Sequence, residues 1–230
     1  YQSGISGEKT VADFGEIDFW VVKIDNLGTI IWQSLYGGIY DDEITSVSET
    51  TTGDLLLCGH SNSPVSGNKT EDSMSWDFWV IKTDFLGSII WQNTLGGNDS
   101  ELDSKLKLLS NGNILLGGTS FSQASGDKSE NNYGERDFWI IKLDENGSKI
   151  WDRTLGGNNL DQFKNILEVA DDNYIVGGGS YSSISGIKTE ISRGQSDYWL
   201  IKLNTLGEIE WDKTIGGDGI DGINSFTLNN

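Results

Sequence analysis

Residues 18–38 read DFWVVKIDNLGTIIWQSLYGG. The stretch returns at residues 77–97, 137–157 and 197–217, with spacings of 59, 60 and 60 residues. Trp20, Trp79, Trp139 and Trp199 keep one register, and Trp32, Trp91, Trp151 and Trp211 keep a second. Eight of the nine tryptophans are therefore one unit written four times. A fixed period of this size marks an array of supersecondary units and outranks any single motif.

Within the unit, residues 18–25 read as a strand. Trp20, Val22 and Ile24 face one way, and Phe19, Val21 and Lys23 the other. Both faces open apolar, the pattern of a strand held between two layers. Asn26-Leu27-Gly28 is a turn, with Gly28 suited to positive φ. Residues 29–36 form a second strand, 44–50 a third and 54–61 a fourth. Val47 recurs as Leu106, Ile166 and Phe226. The strand over 54–61 ends small in every copy, as Cys58-Gly59, Gly117-Gly118 and Gly177-Gly178, which implies close backbone approach.

Four hairpin-linked strands cannot bury both apolar faces alone, and radial stacking covers them. The expected fold is all-β: a β-propeller of four-stranded antiparallel blades. Counted from the inside outward, residues 44, 54, 77 and 88 begin the strands of one blade. The chain is then a single array over 1–230: a partial blade 1–38, blades 39–97, 98–157 and 158–217, and an extra strand over 218–230. It opens in mid-repeat and reads as a piece of a longer, processed chain. A four-bladed ring would want only the counterpart of residues 171–180. Unpaired edges are an aggregation liability, so self-association or further repeats are expected to close the ring.

Thirty glycines against a single proline suit many short strands and tight turns. The formal charge of −19 disfavours nucleic acid and anionic membrane surfaces as partners. No apolar run reaches the roughly 18–20 residues that span a bilayer, so no membrane insertion is expected. Cys58 and His60 are each alone of their kind. Sites built from several His and Cys, and nucleophile–histidine machinery, are disfavoured. No catalytic residue, cofactor or metal is assigned, and the chain is not expected to be an enzyme.

Propeller geometry sorts the connections. The short Gly-Gly loops and the long polar loops share one face, and the tight turns share the other. Function concentrates in loops on a rigid scaffold. Three columns lie on the loop face: Asp42, Glu101, Asp161 and Asp221; Lys9, Lys69, Lys128 and Lys188; Asp18, Asp77, Asp137 and Asp197. One reading is a ring of acids for a cation such as calcium, or for a polyhydroxy ligand. The other is that the acids accept loop N–H groups or pair with the lysines. The second is preferred, since residues present in every unit serve every unit. Residues that break the repeat are better ligand candidates. Trp76 stands opposite Arg136 and Ser196, and Tyr40, Phe121, Tyr133 and Tyr181 lie on the same loops. Aromatic faces stack on sugars and partner side chains; the alternative is that they pin the loops.

The pattern Asp25…Gly28…Trp32, repeated as Asp84…Gly87…Trp91, Asp144…Gly147…Trp151 and Asn204…Gly207…Trp211, is similar to the tryptophan-docking motif of quinoprotein propellers. That resemblance implies Trp packed between blades and no dehydrogenase activity. The whole unit resembles repeats of secreted Bacteroidetes surface proteins, with S-G-D-K-T-E-N, D-[FY]-W and T-[IL]-G-G matched here by residues 125–131 (with Ser129 for the threonine), 197–199 and 214–217. That resemblance implies type IX secretion, an extracellular or cell-surface location and no defined enzymatic activity. Three functional readings follow. The first is a surface module for adhesion, display or protein interaction. The second is a lectin-like propeller binding surface glycans, and the third a glycoside hydrolase.

Two expectations follow for the repeated residues. Truncating Trp91 or Trp151 should cost about 3–5 kcal/mol, more than truncating Trp76. Calorimetry should show no tight calcium binding; an ordered calcium at about 2.3–2.6 Å from Asp42, Glu101, Asp161 or Asp221 would overturn the structural reading of that column.

Overall fold

The computed structural model describes residues 4–227. Fourteen strands run in order: β1 (Phe19–Ile24), β2 (Ile30–Tyr36), β3 (Asp42–Glu49), β4 (Leu55–Ser61), β5 (Asp77–Thr83), β6 (Ile89–Leu95), β7 (Glu101–Leu108), β8 (Ile114–Ser120), β9 (Asp137–Leu143), β10 (Lys149–Leu155), β11 (Asp161–Val169), β12 (Asn173–Ser180), β13 (Asp197–Leu203) and β14 (Ile209–Ile215). A single 3-10 turn, Ala170–Asp172, joins β11 to β12. The protein is all-β. Its sheets are β1-β2, β3-β4-β5-β6, β7-β8-β9-β10 and β11-β12-β13-β14, with every neighbouring pair antiparallel.

Local chemistry makes the hairpins. Asp84 Oδ1 accepts the N–H groups of Leu86 and Ser88, at 2.8 and 2.9 Å, and so closes an Asx turn. Gly87 then takes φ +86, a conformation that costs glycine little. Asp25 and Asp144 do the same in their turns. Asn204 replaces the aspartate in the fourth copy without loss, because only its Oδ1 accepts from Leu206 and Glu208 N–H.

The third strands β5 and β9 are buried on both faces, and β13 buries Trp199, Ile201 and Leu203 while Tyr198 and Leu200 stay half-buried. Phe78, Trp79, Val80 and Ile81 are all inaccessible, as are Phe138 to Ile141. Successive sheets stack through one repeated contact. Phe19 packs on Trp79, Phe78 on Trp139 and Phe138 on Trp199, with ring centroids 5.1–5.5 Å apart. The same phenylalanines press on the small second strands. A Cβ at Gly59 would lie 2.5 Å from the Phe19 ring, and one at Gly118 would lie 2.3 Å from Phe78. Each buried indole N–H is satisfied: Trp79 donates to Gln92 Oε1, Trp139 to Asp152 Oδ2 and Trp199 to Asp212 Oδ2.

The second tryptophan column docks across the sheet boundary. Trp32 Nε1 donates to Phe85 O, Trp91 to Glu145 O and Trp151 to Thr205 O, each in a turn of the next sheet. The turn glycine lies under the indole: a Cβ at Gly87, Gly147 or Gly207 would sit 3.0–3.3 Å from the ring. These docked indoles are only half-buried. The fully buried tryptophans are Trp79, Trp139 and Trp199. The expected cost of truncating Trp91 or Trp151 is revised downward accordingly, because the outer strand leaves one edge of the indole in solvent.

The strand expected over residues 218–230 does not form in its described part: residues 221–227 join no ladder, and 228–230 lie outside the described residues. A first strand pairs only with a second strand, and none lies beside this segment. It still holds its repeat position. Asn165 Nδ2 donates to Phe226 O at 3.4 Å, and the Phe226 ring lies near Gly177. Thr45, Ser104, Lys164 and Asn224, equivalent positions of four successive repeats, line one cavity.

Full burial of a tryptophan removes about 150–250 Å² from water, worth roughly 4–6 kcal/mol at about 25 cal/mol per Å² as an upper bound. Trp139→Ala is expected to lower stability by about 3–5 kcal/mol, Trp151→Ala by about half of that and Trp76→Ala by about 1 kcal/mol or less. Denaturant unfolding of the three variants checks the order. A Trp76→Ala loss equal to that of Trp139→Ala would refute it.

Candidate functional site

The two loop families lie together and are stitched to each other. Gly37 N–H donates to Asn68 Oδ1, Ile39 to Ser66 Oγ, Tyr40 to Ser63 Oγ and Asp41 to Asn62 Oδ1. The two serine bonds recur at Asn98 and Asp99, to Ser125 and Ser122 Oγ, and at Asn158 and Asn159, to Ser185 and Ser182 Oγ.

Beneath this surface lie the charged columns. Asp42, Glu101 and Asp161 are fully buried. Asp42 Oδ2 accepts from Gly38 N–H and Ser63 O–H, at 2.7 and 3.0 Å. Asp161 Oδ2 accepts from Gly157 and Ser182 in the same way. Glu101 accepts from Gly97 N–H and Ser120 O–H, and half-buried Asp221 accepts from Gly217 N–H at 2.6 Å. Asp77, Asp137 and Asp197 each take a loop N–H, from Met74, Tyr133 and Arg193. Their second oxygens are buried and find no hydrogen-bond donor. Burial pushes the carboxyls of Glu101 and Asp137 up to about 7.

The lysine column is buried as well. Lys69, Lys128 and Lys188 donate to Thr94, Thr154 and Thr214 Oγ1 and to the carbonyls of Glu71, Glu130 and Glu190. Lys69 and Lys188 also lie 5.7 and 5.9 Å from the centroids of Trp79 and Trp199. Burial draws the Lys128 amine down to about 8. Among the described residues none of these three lysines makes a direct ion pair. The columns fasten loops to sheets through these bonds, while one oxygen of each of Asp77, Asp137 and Asp197 is left without a donor.

The aromatic candidates divide. Tyr40, Tyr133 and Tyr181 are exposed, each fixed through a backbone N–H, to Ser63 Oγ, Asp137 Oδ2 and Leu160 O. Among the described residues no ring contact joins them. Phe121 is half-buried under the Arg136 guanidinium, 5.5 Å from its centroid. Trp76 is half-buried too, and its ring meets His60 edge-on at 5.2 Å.

Trp76 leads to a cluster that sequence reading missed. His60 Nε2 lies 3.6 Å from Glu43 Oε2. Its Nδ1 is buried without a partner, and burial holds the imidazole below its ordinary pKa. Nearby, Asp103 adopts φ +58, where non-glycine residues are rare. Asp103 Oδ2 accepts from Thr119 O–H and Gln162 Nε2, at 3.1 and 2.9 Å, and Lys164 stands 3.9 Å from Oδ1. Asp103 and Lys164 line the cavity of about 270 Å³ together with Thr45, Ser104, Lys105, Phe163 and Asn224. The signal was present: Asp103 stands where the other repeats carry Ile44, Phe163 and Ile223. An acid in an apolar column marks a break in the rule. The cluster offers hydrogen-bond donors and acceptors, and His60 has an acid beside it and an aromatic ring edge-on to it.

Among the described residues no group of three or more His, Cys, Asp or Glu is arranged to hold a metal ion, and no helix is long and apolar enough to cross a membrane. Cys58 is buried, its thiol pushed up to about 12 by burial. No protein-family model matches the chain, and a search of curated proteins returns no significant match.

The buried carboxyls make stability depend on pH. A carboxyl raised in the fold keeps its proton where the unfolded chain has lost it. Its contribution is therefore greatest in acid and is lost as pH rises toward about 7 for Glu101 and Asp137. Asp18, Asp42, Asp77 and Asp161 are raised in the same direction. His60 opposes them, and the Lys128 amine, drawn down to about 8, begins to oppose them at the top of the interval. The lowered carboxyls of Asp25, Asp84, Asp152, Glu190 and Asp212 act at more acid pH. The thermal midpoint is expected to fall by roughly 5 °C between pH 5 and pH 7.5, and Asp137→Asn to flatten that slope. A midpoint that rises over the same interval would refute the assignment.

Proposed function

We propose that the chain is a non-catalytic β-propeller module, its sheets the blades, that serves adhesion, display or protein interaction at an extracellular cell surface. The observation that carries this reading is the division of labour on the loop face. Residues repeated in every unit are buried and spent on holding loops. Residues that break the repeat are presented by those loops, as Tyr40, Tyr133, Tyr181 and Trp76, or stand on the strands beneath them, as His60 of β4 and Asp103 of β7. Rigid loops displaying aromatic and polar groups suit recognition, since little ordering entropy is lost on binding. Four equivalent positions around one cavity support the radial arrangement. The surface location rests on the resemblance to secreted Bacteroidetes repeats.

A lectin-like reading comes second, favoured by the cavity itself. Asp103, Lys105, Lys164, Asn224 and the hydroxyls of Thr45 and Ser104 are a mixture of hydrogen-bond donors and acceptors of the kind a sugar uses.

A paired screen against a glycan array and a panel of extracellular protein domains tests both. Protein binding that falls by about tenfold or more in the Tyr40→Ala/Trp76→Ala/Tyr181→Ala variant is the expected result. Glycan binding abolished by Asp103→Ala or Lys164→Ala would transfer the function to the lectin reading. Turnover of any glycan would overturn both.

A further inference from the structure

A groove of about 530 Å³ opens between β2, the loop before β1 and the turn into β6. Its walls are largely apolar, from Val11, Ala12, Phe14, Leu35, Tyr36 and Ile89. Leu35 and Tyr36 form a buried floor, and Phe14 stands 44% exposed at the rim. The same groove recurs between the complete sheets β7–β10 and β11–β14, at Glu130, Tyr133, Thr154, Leu155, Gly207 and Ile209, with about 220 Å³.

In the other three repeats a loop glutamate reaches the fourth strand at this place. Glu71, Glu130 and Glu190 accept the N–H groups of Thr94, Thr154 and Thr214. The same threonines accept, through Oγ1, from Lys69, Lys128 and Lys188. The first repeat lacks both partners. Val11 stands in the place of the glutamate and Leu35 in that of the threonine, and Lys9 turns to Asp13. Leu35 faces Trp20 in its ladder as Thr94 faces Trp79. Its N–H therefore points out of the sheet into the groove, where Val11 brings no acceptor.

The side chains around it are engaged elsewhere. Asn68 Oδ1 accepts from Gly37 N–H, and its Nδ2 donates to Leu35 O. Gln33 accepts from Thr10 N–H and Trp20 Nε1 and donates to Glu8 O. Tyr36 Oη donates to Gly87 O at 2.6 Å, with Ser34 turned to it. A largely buried peptide N–H without an acceptor is costly, so a ligand that supplies one gains. The repeats themselves show what this donor takes: an oxygen on a short methylene stem. At a formal charge of −19 an external anion is repelled, and an uncharged oxygen fits instead. The volume lies within the roughly 300–1,000 Å³ of small-molecule sites.

We propose that this groove binds an uncharged, apolar small molecule carrying one carbonyl, its body against Val11, Phe14, Leu35 and Ile89 and its oxygen on Leu35 N–H. The proposal stands apart from the loop-face function, since none of the residues assigned to recognition lines the groove.

The probe is acetophenone, with ethylbenzene as the same shape without the carbonyl, followed by NMR of the labelled protein. Acetophenone is expected to shift the Leu35 amide. Occupancy is read from the methyl groups of Val11, Leu35 and Ile89. At equal concentration acetophenone is expected to exceed ethylbenzene by about fivefold, the worth of one net hydrogen bond. Val11→Glu/Leu35→Thr gives the groove the acid and hydroxyl of the other repeats. It is expected to abolish the acetophenone shifts while the thermal midpoint holds or rises. Val11→Glu alone keeps the test should the double variant fail to fold. A Leu35 amide unmoved up to the solubility limit of acetophenone would overturn the proposal. So would equal occupancy by ethylbenzene, or acetophenone binding retained in Val11→Glu. So would a Leu35 amide that shifts with protein concentration in the absence of probe, for a second copy would then cover the groove.

Discussion

The structure depends on a phenylalanine meeting a tryptophan across each sheet boundary. Phe78 and Trp139 are near-parallel, with centroids 5.5 Å apart and planes at 21°. Both belong to third strands, and both are fully buried. The contact explains why those strands are apolar on two faces: each sheet hands a phenylalanine forward and receives one on its own tryptophan. It also explains the second strands. A phenylalanine pressed that close leaves no space for a side chain beneath it, so Gly59, Gly118 and Gly178 are dictated by the neighbour. Stability in such an array is a sum of unit and interface terms, and this contact dominates the interface term.

Burying an aromatic stack of this size brings the adjacent loops into the interior, and their polar groups with them. Placing a lysine amine there is costly unless it is bonded. Here the amine is satisfied by a threonine hydroxyl of the fourth strand and a carbonyl of its own loop. The indole it overlies donates its N–H to Gln92, which also accepts from Thr70 N–H. Asp152 and Asp212 play that part in the next two sheets, accepting from Ser129 and Thr189. Loop, lysine, indole and fourth strand thus form one connected network per sheet. The loop face is rigid because its anchors are shared with the core.

Period and alternation carried most of this into the sequence. The 60-residue register, the two tryptophan columns and the turn glycine at φ +81 in Gly28 were legible because each is a local rule repeated. The ranking of the tryptophans was not legible. Burial of Trp139 against Trp151 is decided by which strand lies outermost, and that depends on neighbours distant in sequence. The strand over 221–227 failed for the same reason: a first strand exists only through the ladder it shares with a second. The acid columns were readable as loop anchors. Their unpartnered oxygens were not, since those depend on how closely Gly96 and Gly156 approach Asp77 and Asp137.

The repeat supplies a background against which exceptions gain meaning. In a unique fold, an aspartate at the edge of a cavity is one polar residue among many. Here its column prescribes Ile44, Phe163 and Ile223, and Asp103 defies it with a carboxylate and a backbone at φ +58. Such a conformation costs on the order of 1–3 kcal/mol for a non-glycine residue. Thr119 and Gln162 hold the carboxylate in place, from columns that carry a different residue in every repeat. One acid set into an apolar column, bent into a strained backbone and gripped by two neighbouring side chains, is the point at which the repeat leaves its own rule, and the strain persists because the surrounding bonds over-determine it.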